Sequence, residues 1–299
     1  MQALWMLLGA FFFAAMAVCV KFASAWFNSA ELVFYRGLLS VLLLWGLARQ
    51  QRVSLATRYP GMHAWRSLVG VVSLGAWFYA IAFLPLATAM TLNYMSSIWI
   101  AAFLLGGTLM AWTPAAGSTA LLRQGPLTLS VLVGFVGVVL TLRPTVSQDQ
   151  LLAGLVGLLS GLTAALAYLQ VMVLGKLGEP ETRVVFYFSV GSALAGGLWM
   201  AVMGVSAWQW PQALWLLPVG LLATLGQLCM TRAFSHGATL VVACLQYTGI
   251  VFGAVFGWLL FGDDIPASGW WGMALILCSG IIATALRARA APQAPVEEH

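Results

Sequence analysis

Apolar runs long enough to cross a membrane follow one another along the whole chain, separated by short breaks that hold nearly all of its charged positions. About 20 apolar residues, rising about 1.5 Å each in a helix, cover the roughly 30 Å of hydrocarbon in a bilayer. Such runs fall at 4–25, 32–49, 66–84, 87–110, 127–143, 151–175, 184–205, 213–233, 239–261 and 268–287. The pattern predicts an all-α, polytopic membrane protein with ten transmembrane helices. Turn and stop residues mark the breaks: Asn28-Ser29, Arg49 to Pro60, Leu84-Pro85, Pro114 with Gly125-Pro126, Arg143-Pro144, Gly178-Glu179-Pro180, Pro211, His236-Gly237 and Asp263 to Pro266. An even number of crossings puts both ends on one side. The first run lacks a basic leader and a small-residue cleavage site, so it is expected to be retained as a span. The Ala/Pro-rich end, 288–299, is expected to be a disordered cytoplasmic tail.

Composition fixes the environment. With 62% hydrophobic and 7% charged residues, no water-facing surface can be assembled. The basic residues then orient the chain. With both termini cytoplasmic, Arg49, Arg52, Arg58, Arg66, Arg123, Lys176, Arg183, Arg232, Arg287 and Arg289 fall inside, and Lys21 and Arg143 outside. Arg36 lies within a run. The expected location is the inner (plasma) membrane, multi-pass. The net charge of +5 is thus a topology signal and does not point to nucleic acid, while the basic 49–66 stretch suits anionic lipid head groups. Cys19, Cys229, Cys244 and Cys278 all lie in runs without paired spacing and read as packing residues, not as metal ligands or disulfides.

Five runs lie on each side of the 143–150 loop, and short echoes match across it. Ala82-Phe83 and Ala87-Thr88 return as Ala233-Phe234 and Ala238-Thr239, Val33-Phe34-Tyr35 as Val185-Phe186-Tyr187, and Asn93-Tyr94 as Gln246-Tyr247. Their offsets stay within 151 to 153 residues. Because five is odd, the second unit enters the membrane inverted, the architecture associated with alternating access. The expected units are 1–144 and 151–287, two inverted five-helix repeats.

On these residues the chain resembles the drug/metabolite transporter superfamily and its EamA family. The resemblance is carried by Lys21 ending the first run, Glu31 and Arg36 opening the second, and the Ala-Phe-x-x-x-Ala-Thr turns after the third and eighth runs. Gly134 and Gly137 before Arg143-Pro144, and Phe261-Gly262-Asp263 after the ninth, complete it. It implies a secondary transporter, often an exporter of amino acids or other metabolites, with a cavity between the halves; the aromatic content is similar to that of the aromatic amino-acid exporter branch. The chain departs from the family where many members carry a proline midway along helices four and nine, since Ser96-Ser97 and Thr248-Gly249 stand there. It departs again at the ends of those helices, where Gly106-Gly107 and Asp263 replace glutamate.

Candidate substrate-binding residues come from polar and aromatic positions at helical spacing. These are Asn93, Tyr94 and Ser97 in the fourth run, Gln246 and Tyr247 in the ninth and Gln227 in the eighth, with Trp77, Tyr79 and Tyr168 adding apolar and π surface. A side-chain amide in hydrocarbon needs a partner, so these groups should face the bundle interior, either lining a cavity or tying helix to helix. Glu31 and Arg36 are the candidate gating or structural charges. Arg36 could anchor the fold, snorkel to the outer interface or meet a substrate carboxylate, and the matching position in the second half is Phe188. Gly249, Gly253 and Gly257, like Gly157 and Gly161, allow close helix approach.

No phosphate loop is present, because Lys176 is followed by leucine, so direct use of ATP is excluded. Proton antiport and facilitated diffusion both remain open. No H-E-x-x-H or G-x-S-x-G occurs, and three histidines leave little for metal chemistry, so an enzyme, a metal and a cofactor are not expected. The expected partners are a small-molecule solute and membrane lipid, with the chain a monomer or homodimer. The reading is a secondary exporter of small metabolites, most of all amino acids, aromatic ones included. Its rivals are a membrane channel and a broad-specificity drug/metabolite permease.

Overall fold

The computed structural model describes residues 2–84, 86–110, 119–142, 151–208, 210–262 and 267–290. The Arg143 to Gln150 loop, Pro114, Trp112, Asp263 to Pro266 and the tail from 291 lie outside the described residues. Among the described residues the structure is helical and has no strand. In chain order the helices are α1 (Gln2–Ala23), α2 (Ser29–Gln50), α3 (Pro60–Phe83), α4 (Leu86–Tyr94), α5 (Ser96–Met110), α6 (Thr119–Leu142) and α7 (Leu151–Lys176). They continue with α8 (Glu181–Met203), α9 (Trp210–Ala213), α10 (Leu216–His236), α11 (Thr239–Gln246), α12 (Thr248–Phe256), a π-helical turn (Gly257–Phe261) and α13 (Ala267–Ala290).

Among the described residues seven helical stretches are long and apolar enough to cross a bilayer: Gln2–Ala23, Ser29–Gln50, Pro60–Phe83, Leu151–Lys176, Glu181–Met203, Trp210–His236 and Thr239–Phe261. The apolar runs at 87–110, 127–143 and 268–287 fall on α4–α5, α6 and α13. Leu42, Leu68, Leu155, Leu198, Val202 and Leu221 are exposed, as side chains facing lipid would be. The chain is therefore a multi-pass membrane protein. Helix α13 runs through Ala290, into the stretch expected to be tail.

Two spans are broken without proline. At Met95 and at Tyr247 the ladder tightens to i→i+3 bonds, with Ile98 N donating to Met95 O (3.0 Å) and Ile250 N to Tyr247 O (2.9 Å). The breaks meet in the core. Ser97 Oγ donates to Ala243 O (2.7 Å) and Gln246 Nε2 to Ser96 Oγ (3.4 Å). A Cβ on Gly249 would sit 2.5 Å from the Tyr94 hydroxyl, and one on Gly253 would collide with the Met90 sulfur, so this glycine row packs α12 against α4.

The four most extensive helix pairings are α2 with α8, α6 with α13, α1 with α10 and α3 with α7. The α2–α8 crossing is nearly backbone on backbone. A Cβ on Gly37 would lie 2.6 Å from Ala193 N, and one on Gly196 would lie 2.6 Å from Phe34 N.

Candidate functional site

Seven helices meet around a central cavity, lined by Phe13 of α1, Arg36 of α2, Trp77 of α3, Tyr94 of α4, Tyr168 of α7, Phe188 of α8 and Gln227 of α10. The cavity volume is about 40 Å³. Ala164 and Ala167 supply a smooth wall on α7, while Gly70, Ser73 and Leu74 extend the α3 side.

Its chief feature is a pair of buried arginines. Arg36 and Arg66 are 1% and 2% exposed, and both lie on the ring of Phe188, their guanidinium carbons 5.1 and 4.0 Å from its centroid. Arg66 Nη2 donates to Gln227 Oε1 (3.3 Å). Nε and Nη1 of both arginines, Trp77 Nε1 and the Tyr94 hydroxyl are buried without a protein partner. An arginine placed at mid-membrane costs about 2.5–3.5 kcal/mol on insertion scales. The cation–π contacts with Phe188 offset part of that, about 2 kcal/mol for a desolvated pair.

No described carboxylate compensates them, because each is engaged elsewhere. Glu31 closes a capping box at the start of α2, accepting from Asn28 N (2.8 Å), and also accepts from Ser206 N (2.9 Å) and Ser206 Oγ (2.6 Å). Glu179 accepts from Thr57 Oγ1 (3.0 Å) and Arg183 Nη1 (3.1 Å), and pairs with His63 Nε2 (3.1 Å). Glu181 lies near Arg232 (3.9 Å) and His236 (3.7 Å).

Of the predicted binding residues, Trp77, Asn93, Tyr94, Tyr168 and Gln227 line the cavity. Asn93 Nδ2 donates to Ser160 Oγ (3.1 Å), while Tyr168 stacks on Phe234 with centroids 5.0 Å apart. Ser97 and Gln246 lie instead at the crossing of the broken helices, and Tyr247 packs where a Cβ on Gly134 would come within 2.8 Å of its ring. Tyr79 packs at a tilt against Phe83, centroids 4.6 Å apart, and lines a separate recess with Trp26, Trp199 and Ser206. Glu31 does not meet Arg36; it ties α2 to the segment after α8.

Arg66 corrects the expectation from sequence, which left it in the loop before a span starting at 66. The helix starts at Pro60, whose fixed φ and missing N–H suit a first turn, so Arg66 sits nearly two turns inside. Proline in the first turn was the available signal. Gly70, one turn on, opens the slot for its side chain, since a Cβ there would collide with Arg66 Nη1 and lie 2.8 Å from Phe188 Cε2.

Polar contacts tie both ends of the bundle. At one end, α7 closes with Glu179 N bonded to Leu174 O (3.1 Å), Gly178 N to Gly175 O (3.0 Å) and Gly178 at φ +79°, a left-handed turn that glycine accepts freely. That turn aims Glu179 at His63 and Arg183. Burial alone would push the Glu179 carboxyl up, but hydrogen bonds from His63, Arg183 and Thr57 outweigh it and hold the carboxyl below its ordinary range. Arg183 Nη2 also donates to Ser54 O (2.6 Å), and the Tyr187 hydroxyl to Leu55 O (3.0 Å), pinning the 51–59 loop to α8. At the other end, Asn28 Nδ2 donates to Gly204 O (3.2 Å), and Lys21 Nζ to Ile81 O (2.8 Å) and Leu84 O (2.9 Å).

A multi-pass helical bundle that buries two arginines at a central cavity has the build of a membrane transporter, and the relatives agree. The chain is 34% identical over 262 residues, 87% of each sequence, to the pseudopaline exporter CntI of Pseudomonas aeruginosa. It is 32% identical over 282 residues, 90% of each, to an uncharacterized transporter of Helicobacter pylori. A riboflavin transporter of Rhizobium johnstonii shares 27% over 283 residues, 93% of this chain and 89% of its own. The chain belongs to the membrane transporter family that includes the pseudopaline exporter. The sequence matches no family model. A protein of known crystal structure superposes with a TM-score of 0.75 over 97% of this chain and 99% of that one, at 16% identity, and so shares the fold.

Proposed function

We propose that this protein is a secondary carrier of the drug/metabolite transporter superfamily and its EamA family. On this reading it exports small amino-acid-type metabolites by alternating access of two inverted five-helix halves, 1–144 and 151–287. The observation that carries the reading is the central cavity, which takes its walls from both halves: Arg36, Arg66 and Trp77 from the first, Tyr168, Phe188 and Gln227 from the second. The helix pairings support the inversion. Exchanging each helix for its counterpart leaves α2–α8 and α6–α13 unchanged and turns α1–α10 into α3–α7, so the four leading contacts form a two-fold set. The breaks at Met95 and Tyr247 fall at matching places. Export is the direction named for the pseudopaline relative. The basic-residue asymmetry supports an inner-membrane protein with both termini in the cytoplasm.

Counterflow in proteoliposomes tests this. Vesicles loaded with a mixture of unlabelled amino acids and organic acids should take up a labelled component transiently and saturably, faster than unloaded vesicles. Ionic currents without saturation would support a channel instead, and a solute flux indifferent to the trans side would defeat alternation. Repeating the assay with an imposed pH gradient separates proton exchange from facilitated diffusion.

A further inference from the structure

We propose, resting on the carrier reading above, that the cavity is a two-point anion site whose substrate carries two carboxylates, one for each of Arg36 and Arg66. Of the six unpartnered polar atoms around the site, five can only donate and the sixth, the Tyr94 hydroxyl, can donate or accept. Nε and Nη1 of both arginines, Trp77 Nε1 and the Tyr94 hydroxyl have no protein partner, whereas Gln227 Oε1 is already taken by Arg66 and Asn93 is bonded to Ser160. A buried donor without an acceptor is costly, and six such atoms around one cavity are met together by an acceptor-rich anion. Arginine suits this role because its planar fork takes a carboxylate through two parallel bonds.

The charge balance sets the valence. Two cations share the Phe188 ring, and Glu31, Glu179 and Glu181 are each held by other partners. A monoanion would leave one positive charge buried. A zwitterionic amino acid would also bring an ammonium group to a place where no described carboxylate can receive it. A dianion neutralises the site, and Phe188, Trp77 and Tyr168 receive the carbon skeleton that joins its carboxylates. The substrate class is thus an amino-acid derivative or organic acid whose carboxylates outnumber its amines.

A matched set of five-carbon probes reads this directly: pentanoate, 5-aminopentanoate and glutarate, each titrated against the purified protein by thermal unfolding at neutral pH. Glutarate should stabilise at a concentration at least about tenfold below pentanoate, with 5-aminopentanoate weakest. Arg36→Gln and Arg66→Gln should each weaken glutarate at least about tenfold and erase its advantage over pentanoate. Arg36→Lys and Arg66→Lys, which keep the charge and lose the fork, should fall between. Equal responses to the three probes, no response to glutarate, or glutamine variants that keep the preference would overturn the proposal. So would chloride stabilising as well as glutarate, since a simple inorganic anion would then suffice. The same preparations separate the two readings: counterflow that persists without a dicarboxylate preference removes this inference and leaves the carrier, while loss of counterflow for every solute in wild-type protein removes the carrier itself.

Discussion

Glu179→Gln tests whether the polar contacts at the 51–63 end of the bundle close the cavity on that side, as the proposed alternating access requires. The carboxylate accepts from Thr57 (3.0 Å) and Arg183 (3.1 Å) and pairs with His63 (3.1 Å), with 4% of its side chain exposed. Glutamine keeps the shape and one acceptor oxygen but removes the charge and turns an NH₂ toward a donor. At least one charge-assisted hydrogen bond is lost, about 1.5–3 kcal/mol. Arg183 is 15% exposed, so water returns part of this and the lower end applies. At about 1.4 kcal/mol per tenfold, the ratio of open to latched molecules should rise about tenfold. The readout is a cysteine in place of Ala167, a buried cavity wall, in a background lacking the native cysteines. A membrane-impermeant maleimide applied from the 51–63 face should label it about tenfold faster in Glu179→Gln, while labelling from the opposite face does not rise. An unchanged rate would refute the latch, and a rise from both faces would mean that the variant has merely loosened the bundle.

Because the Glu179 carboxyl is held below its ordinary range, its contribution is fully present above the ordinary carboxylate value of about 4.3 and fades only as pH falls through the depressed one. If the network of Glu179, His63 and Arg183 sets the labelling rate, wild type should approach Glu179→Gln only at acid pH, below that ordinary value. Gly70→Ala should push Arg66 off Phe188 and lower transport while the protein still folds; full activity would remove Arg66 from the site. Gly37→Ala should lower stability by about 1–3 kcal/mol through overpacking on Ala193, less about 1 kcal/mol returned by helix propensity. Gly46→Ala, with no atom within 4 Å of its Cβ, should be neutral or stabilising, so equal unfolding temperatures for the two variants would contradict the crossing.

Sequence made the helices plain, because hydrophobic length and turn residues act locally. The π-helical turn at Gly257–Phe261 and the breaks at Met95 and Tyr247 carry no such mark. The two breaks lie where α4–α5 and α11–α12 touch, a contact that no spacing encodes. Spacing did bring Trp77, Asn93, Tyr94, Tyr168 and Gln227 into the candidate set, since buried polar and aromatic positions are few in such chains. It grouped Tyr247 and Gln246 with them because periodicity finds the inward face and cannot separate cavity from crossing. Arg66 was hidden by charge itself. A charged residue near the end of an apolar run looks like a loop residue until the helix start is fixed at Pro60. Phe188 was visible only as the residue standing where the second half lacks an arginine, and the ring shared by two guanidiniums emerges from the fold.

The two ends of the bundle are tied through the same helix pair, and the alternation proposed above would load the two ties unequally. Helix α8 is held at its start by the 51–59 loop and at its far end by Asn28 and Glu31, so α2 and α8 run antiparallel with a polar tie at each end. Their closest backbone approach, at Gly37 with Ala193 and at Gly196 with Phe34, lies nearer the Asn28 end. Counted along the helices at about 1.5 Å per residue, the arm toward Glu179 is roughly 20 Å and the arm toward Glu31 roughly 10 Å. A rotation of about 10° at that crossing moves the long arm roughly 3.5 Å and the short arm about half as far. The first displacement breaks hydrogen bonds near 3 Å outright, while the second can be absorbed by side-chain rotation. The charge-paired device, a buried carboxylate gripped by a guanidinium, a histidine and a threonine, therefore sits where the lever is long, and the shorter Glu31–Ser206 contact sits where the lever is short.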